Sequence, residues 1–228
     1  MPANADATAG KIDFKRELAC YSAPRGRFEL ITVPPLRYLM IDGHGDPNTA
    51  SSYADALATL YPVAYRLKFA SRSELGRDYT VPPLEALWWA DDMAAFTAAR
   101  DKSRWDWTAM IMIPDWLDAA AVAEARETVR RKAGAPAIDA LRAETLAEDL
   151  VVQTLHIGPY DAEGPVLAAL HDEFLPANGL GLTGRHHEIY LGDPRRSAPE
   201  RLRTILRQPV VRTQNSRESG SSRPRSAS

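Results

Sequence analysis

The run His186-His187-Glu188-Ile189-Tyr190-Leu191 combines an acid with a phenol two residues away. Read as a strand, alternation puts His186, Glu188 and Tyr190 on one face and His187, Ile189 and Leu191 on the other. A carboxylate beside a phenol suits general-base activation of water, the hydroxyl steadying charge that develops on a substrate. The competing interpretation is a solvated sheet face with an unremarkable Glu. A metal site is not expected. The zinc-helix pattern H-E-x-x-H would need a second histidine at position 191, which is Leu, and the chain offers no cysteine pair.

The segment Leu84-Glu85-Ala86-Leu87-Trp88-Trp89 alternates similarly, and Glu85 is expected to match Glu188 across an internal repeat. Glu85, Leu87 and Trp89 would then face the same cleft, with Trp88 on the opposite face. Trp105 and Trp107 share a face of the next strand. Tyr38, Met40, Tyr160 and His186 complete the candidate ligand-binding set with Trp89, Glu85 and Trp107. Packing in an ordinary core remains the alternative for each, since Trp buries a large area in any case. There is no phosphate-binding Gly-rich loop, G-x-S-x-G elbow or Cys/His pair, so nucleotide chemistry and these covalent mechanisms are not expected.

These residues need a scaffold, and the spacing suggests an imperfect repeat. In the first copy, strands at 28–33 and 38–41 flank the turn Pro34-Pro35. A helix beginning near 48–51 carries Tyr53, Leu57, Leu60, Ala64 and Leu67 as its apolar stripe, with a kink expected at Pro62. Strands at 84–89 and 107–113 close the unit. In the second copy, 144–146 and 151–157 read as a hairpin about Glu148-Asp149. A helix follows, with Pro165 in its first turn and Asn178-Gly179 at its end, then the strand 186–191. The chain is expected to finish on a short basic amphipathic helix at 199–206, with no clear fourth strand. Asp118 is expected to cap a helix connecting the copies. The fold class is α+β: two strand-helix-strand-strand units form one antiparallel sheet with helices on one face. The ligand groove is then expected on the opposite face, near the seam.

The 228 residues are 45% hydrophobic and 25% charged, with a formal net charge of −2, and give no electrostatic signal for nucleic acid or membrane partners. Cys20 is the single cysteine, so no internal disulfide can form and a reducing, cytoplasmic setting is expected. Met1–Gly10 has no apolar run, and no stretch approaches the length that spans a bilayer. Residues 1–10 and 210–228 read as unstructured tails, the second rich in Ser and Arg. The ordered domain is expected at 11–209, with halves at about 28–115 and 140–209.

Several runs resemble the GyrI-like small-molecule-binding family. They are Tyr38-Leu39-Met40-Ile41-Asp42-Gly43, Gly45-Asp46-Pro47-Asn48, Leu87-Trp88-Trp89-Ala90-Asp91-Asp92, Met110-Ile111-Met112, His156-Ile157-Gly158-Pro159-Tyr160, and His186 to Leu191 running into Asp193-Pro194-Arg195-Arg196. The likeness spans roughly Lys11 to Pro209 and is to a stand-alone branch without a DNA-binding domain. It implies paired strand-helix-strand-strand (SHS2-like) units around a central groove. Members of this branch look like cyclopropanoid cyclopropyl hydrolases, which open the strained ring of certain DNA-alkylating antibiotics inside an aromatic cage. The resemblance thus implies no cofactor, a planar apolar or cationic ligand, and Glu188 and Tyr190 as catalytic residues. The alternative is a protein that binds or sequesters such molecules without chemistry.

Overall fold

The computed structural model describes residues 10–91, 101–132 and 134–213. Its frame is an antiparallel sheet of nine strands: β1 Glu29–Val33, β2 Leu36–His44, β3 Leu84–Trp89, β4 Asp106–Met112, β5 Arg142–Leu146, β6 Asp149–Ile157, β7 Leu180–Leu182, β8 His186–Tyr190 and β9 Arg203–Arg212. The spatial order is β1-β6-β9-β8-β3-β4-β2-β5, with β7 added to β9. A short helix, α1 (Phe14–Glu17), precedes the sheet. The others are α2 (Ser51–Leu75), α3 (Ala119–Arg130) and α4, which spans 164–177 with a π-helical stretch at Ala169–Phe174.

The α2 stripe forms because Ala56, Leu60, Val63, Ala64 and Leu67 recur at helical spacing and bury against Leu39, Ile41, Ala109 and Ile111 of the sheet. The helix continues through Pro62 as one element and ends at Gly76, whose φ of 65° is the left-handed geometry glycine tolerates. Asp118 caps α3 as expected, its carboxylate accepting the Ala121 N–H at 2.8 Å. On the same sheet face, Leu170, Phe174 and Leu175 of α4 pack on Val152 and Val210. The opposite face is covered by the N-terminal segment around Cys20 and Tyr21, which packs on Tyr38, Met40, Leu87, Met110 and Ile189.

The expected hairpin around Glu148-Asp149 does not form. β5 pairs with β2, whereas β6 pairs with β1 and β9. Val33 faces Asp149 and Leu36 faces Leu146, three steps along each strand, so the register continues across both breaks. The chain therefore has two long bent strands, β1–β2 and β5–β6, lying antiparallel to one another. In a flat sheet β1 and β2 would lie on the order of 29 Å apart, while their connector reaches only about 11 Å. The sheet must curve strongly, bringing its ends together. Asp149 takes a positive φ of 57° at the bend.

The terminal amphipathic helix is likewise a correction. Pro199–Arg201 is a single 3₁₀ turn, and β9 follows as the fourth strand of the second unit. Its sequence hides the strand because β9 lies between β6 and β8 and is buried on both faces, which removes the polar alternation. Arg207, just past the expected helix, is 1% exposed. β9 also continues to Arg212, three residues past the expected domain end, with Val210 buried. Most of the expected tail, 214–228, lies outside the described residues, as do residues 1–9.

Candidate functional site

A groove of about 1070 Å³ lies between α2, the start of α4 and the centre of the sheet. It is on the face that carries the helices, which overturns the expectation of a groove on the opposite one. Two helices resting on a curved sheet leave a channel between them. The central strands β3 and β8 form its floor. Opposite residues of an antiparallel pair project to the same side. Ala86 faces Glu188 and Trp88 faces His186, so Trp88, Glu188 and Tyr190 all point to the groove side.

Glu188 is 8% exposed, and its carboxylate lines the cavity. The Tyr190 hydroxyl donates to its Oε2 at 2.7 Å and accepts from the Trp88 indole N–H at 3.0 Å. His186 Nε2 stands 3.5 Å from Glu188 Oε1. A relay of indole, phenol and carboxylate thus fixes the acid in one orientation. The floor and walls are aromatic: Tyr53 of α2 stacks on Trp88 with ring centres 6.0 Å apart, Trp105 meets Trp88 edge-on at 5.7 Å, and Tyr160 meets Tyr190 edge-on at 5.5 Å. Tyr61, two turns beyond Tyr53, extends this wall.

Burial raises the pKa of Tyr190 well above the ordinary phenol range, and the adjacent Glu188 charge reinforces it. Tyr53 is raised for the same two reasons, and Tyr160 is pushed up to about 12 by burial and then by the charges of Glu163 and Glu188. These phenols therefore hold their protons at neutral pH and act as hydrogen-bond donors. At the mouth, Lys102 and Asp161 form a 2.6 Å ion pair between the two halves, and Asp193 pairs with Arg195 at 3.0 Å.

Of the residues expected from sequence, Glu188, Tyr190 and Tyr160 line the groove. His186 is on the right face but buried beside Glu188. Trp107 also points to the helix side, yet it is 0% exposed, held edge-on against Tyr53 and directly over Gly43. Glu85, Trp89, Tyr38 and Met40 lie on the opposite face, away from the groove. The equivalence of Glu85 with Glu188 is one residue out of register, since Glu85 faces Ile189. A one-residue slip exchanges the two faces of a strand, which is why Trp88 takes the place expected for Trp89.

On that opposite face Glu85 belongs to a buried polar network. It accepts from Tyr21 at 2.5 Å and lies 2.9 Å from His187 Nε2, while His187 Nδ1 lies 2.9 Å from Glu148. Arg207 donates to Glu148 at 2.8 Å and to the Cys20 carbonyl at 2.6 Å. Two acids are matched by Arg207 and by His187, whose pKa is raised despite burial because Glu148 and Glu85 hold its protonated form. The network has no opening to the groove and ties β3, β8, β9 and the N-terminal segment together.

Sequence reasoning missed Trp88, Tyr53, Tyr61 and Glu163. Tyr53 sits in a helical stripe assigned wholly to packing, and Tyr61 lies on the same helix outside that stripe. Glu163 stands between the turn Tyr160–Ala162 and Gly164-Pro165, a stretch with no period to signal its burial. Among the described residues no group of three or more His, Cys, Asp or Glu side chains is arranged to hold a metal, and no helix is long and apolar enough to cross a membrane.

The GyrI-like small molecule binding domain family matches residues 27–210. No curated protein matches the chain. Two solved structures from Listeria innocua are similar over all of their own length. An uncharacterized conserved protein is 36% identical over 88% of this chain with a TM-score of 0.79, and a hydrolase is 35% identical over 88% with a TM-score of 0.76. The EcmrR C-terminal domain shares the fold at 13% identity and a TM-score of 0.53, over 82% of this chain and 98% of its own. The match across both halves of the sheet, with the groove between them, shows that the chain belongs to the GyrI-like small molecule binding domain family.

Proposed function

We propose that the groove takes flat, apolar aromatic molecules and that Glu188 activates water there to open a strained cyclopropane ring fused to a dienone, protecting the cell from DNA-alkylating compounds of that kind. The observation that carries this reading is a carboxylate set in an aromatic channel and held at 2.7 Å by a single phenol. The 35% identity to a Listeria innocua hydrolase supports chemistry at this site. A planar substrate stacks on Trp88 and Tyr53, each aromatic contact adding about 0.5–1.5 kcal/mol beyond burial. Glu188 removes a proton from water, whose oxygen attacks the ring methylene. Ring strain and positioning lower the barrier, so one well-placed base suffices. Because the Tyr190 hydroxyl donates to Glu188, its role is to aim the base, and the proton for the substrate oxygen comes from another group in the wall.

A second reading is binding without turnover, in which Glu188 is a counter-charge for planar cations. The hydrogen bond from Tyr190, which already satisfies one carboxylate oxygen, favours that view. Incubating the pure protein with a cyclopropane-fused dienone in ¹⁸O-water separates the two. Hydrolysis gives a labelled alcohol; sequestration returns intact compound at saturating protein.

A further inference from the structure

His156 does not line the groove, but it holds the turn that carries Tyr160 into it. It is 8% exposed and stands one residue before the end of β6. Its strand partner is Thr204 of β9, and Thr204 in turn faces Tyr190 of β8. His156, Thr204 and Tyr190 therefore form one row across three strands, on the side of the groove. Strand spacing puts the backbones of His156 and Tyr190 about 10 Å apart along that row.

Beyond β6 the chain bends through Gly158-Pro159 into the 3₁₀ turn Tyr160–Ala162. The Pro159 carbonyl, the first acceptor of that turn, takes two donors: the Ala162 N–H at 2.9 Å and His156 Nε2 at 3.2 Å. A carbonyl only accepts, so Nε2 carries the hydrogen. Gly158 makes the contact possible, since its φ of 146° suits glycine and a Cβ there would lie 3.2 Å from His156 Nε2. Its N–H donates to the Leu202 carbonyl at 3.0 Å, fixing the other side of the bend. Tyr160 is the first residue past the clamped carbonyl. Its ring lines the groove and meets Tyr190 edge-on at 5.5 Å. Asp161 reaches across the mouth to Lys102 at 2.6 Å, but its side chain is 79% exposed, so solvent and salt screen that pair. The buried histidine contact is the firmer of the two anchors.

We propose that His156 is a positioning residue for the ligand: its bond to the Pro159 carbonyl orients the turn, and with it the Tyr160 ring that a flat aromatic guest meets beside Tyr190. The proposal rests on the groove taking flat aromatic molecules, and it holds with or without turnover. A ring set in place before binding spares the complex the cost of ordering it. The Ala162 bond to the same carbonyl belongs to the turn and moves with it, so it cannot supply this orientation. His156 supplies it, because it ties the turn to the row of the sheet that carries Tyr190.

The test uses the full chain and a cyclopropane-fused dienone, with the dissociation constant read by rapid-mixing tryptophan quenching. His156→Leu keeps a buried apolar side chain without a donor, whereas His156→Gln keeps an amide N–H within reach of the carbonyl. The first is expected to raise the dissociation constant about tenfold, and the second by less than about threefold. Tyr160→Ala removes the ring through which His156 acts, so adding His156→Leu to it should change the dissociation constant by less than about twofold. Should His156→Leu fail to fold, Gly158→Ala, which sets a methyl group against the imidazole, takes its place in the same cycle. An unchanged affinity in the donor-free variant, equal losses in both backgrounds, or a His156→Gln variant as weak as His156→Leu overturns the inference while leaving the groove reading intact. Absence of binding by the wild-type protein overturns the groove reading, and this inference with it.

Discussion

Replacing Arg207 by Met removes the one guanidinium from the network behind the groove, keeps a flexible apolar side chain, and leaves three partners without their donor. Glu148 loses a bond of 2.8 Å, the Cys20 carbonyl one of 2.6 Å and the Gln153 side chain one of 3.3 Å. Removing one member of a buried charge pair costs about 3–5 kcal/mol. For a chain of this length that lowers the melting temperature by roughly 6–20 °C, read by tryptophan fluorescence at neutral pH. Acid provides a second check. Burial opposes ionisation of Glu148, but His187 and Arg207 outweigh it and bring its carboxyl to about 2 from an ordinary 4.5. A depressed acid stabilises the fold above its unfolded value, so this contribution, about 3 kcal/mol, is present above pH 4.5 and lost as pH falls toward 2. The variant should show a shallower loss in that window. A melting temperature unchanged within about 2 °C at neutral pH, with the wild-type acid profile, would refute the claim that this network holds the sheet together.

Three further outcomes follow from the geometry. His187 is raised above its ordinary 6.5, so its stabilising charge is complete below that pH and lost as pH climbs through its folded value; denaturation midpoints should fall on the alkaline side in wild type and flatten in His187→Gln. A Cβ at Gly43 would lie 2.1 Å from the Trp107 ring, so Gly43→Ala should cost about 1–3 kcal/mol by urea titration, and a neutral result would mean that the indole can shift freely. Ending the chain after Pro209 removes buried Val210 and the β7 pairing, whereas ending it after Thr213 keeps both; only the first truncation should lower the melting temperature.

How much of this is legible in the sequence depends on how local each signal is. β3 is read to the residue because Pro82 and Pro83 bound it, and α2 because its stripe repeats over several turns. Pairing is not local: nothing in 144–157 says that β5 and β6 separate to opposite ends of a curved sheet. β9 is hidden because its burial on both faces erases alternation. Glu188 and Tyr190 are found correctly as same-face neighbours, since that needs only the strand period. Carrying the argument across the repeat to Glu85 needs the register as well, and one residue of error moves Glu85 into the network with His187. Glu163 is invisible for another reason, as it sits in an irregular turn where no periodicity signals burial.

Hydrolysis in this groove depends most on Glu188. With a cyclopropane-fused dienone, turnover and ligand-induced tryptophan quenching are to be measured side by side for wild type and Glu188→Gln. The variant, which keeps an oxygen for the Tyr190 hydroxyl, is expected to bind within a few-fold of wild type but to lose turnover by about 10²-fold or more. Equal turnover in the two proteins would contradict it.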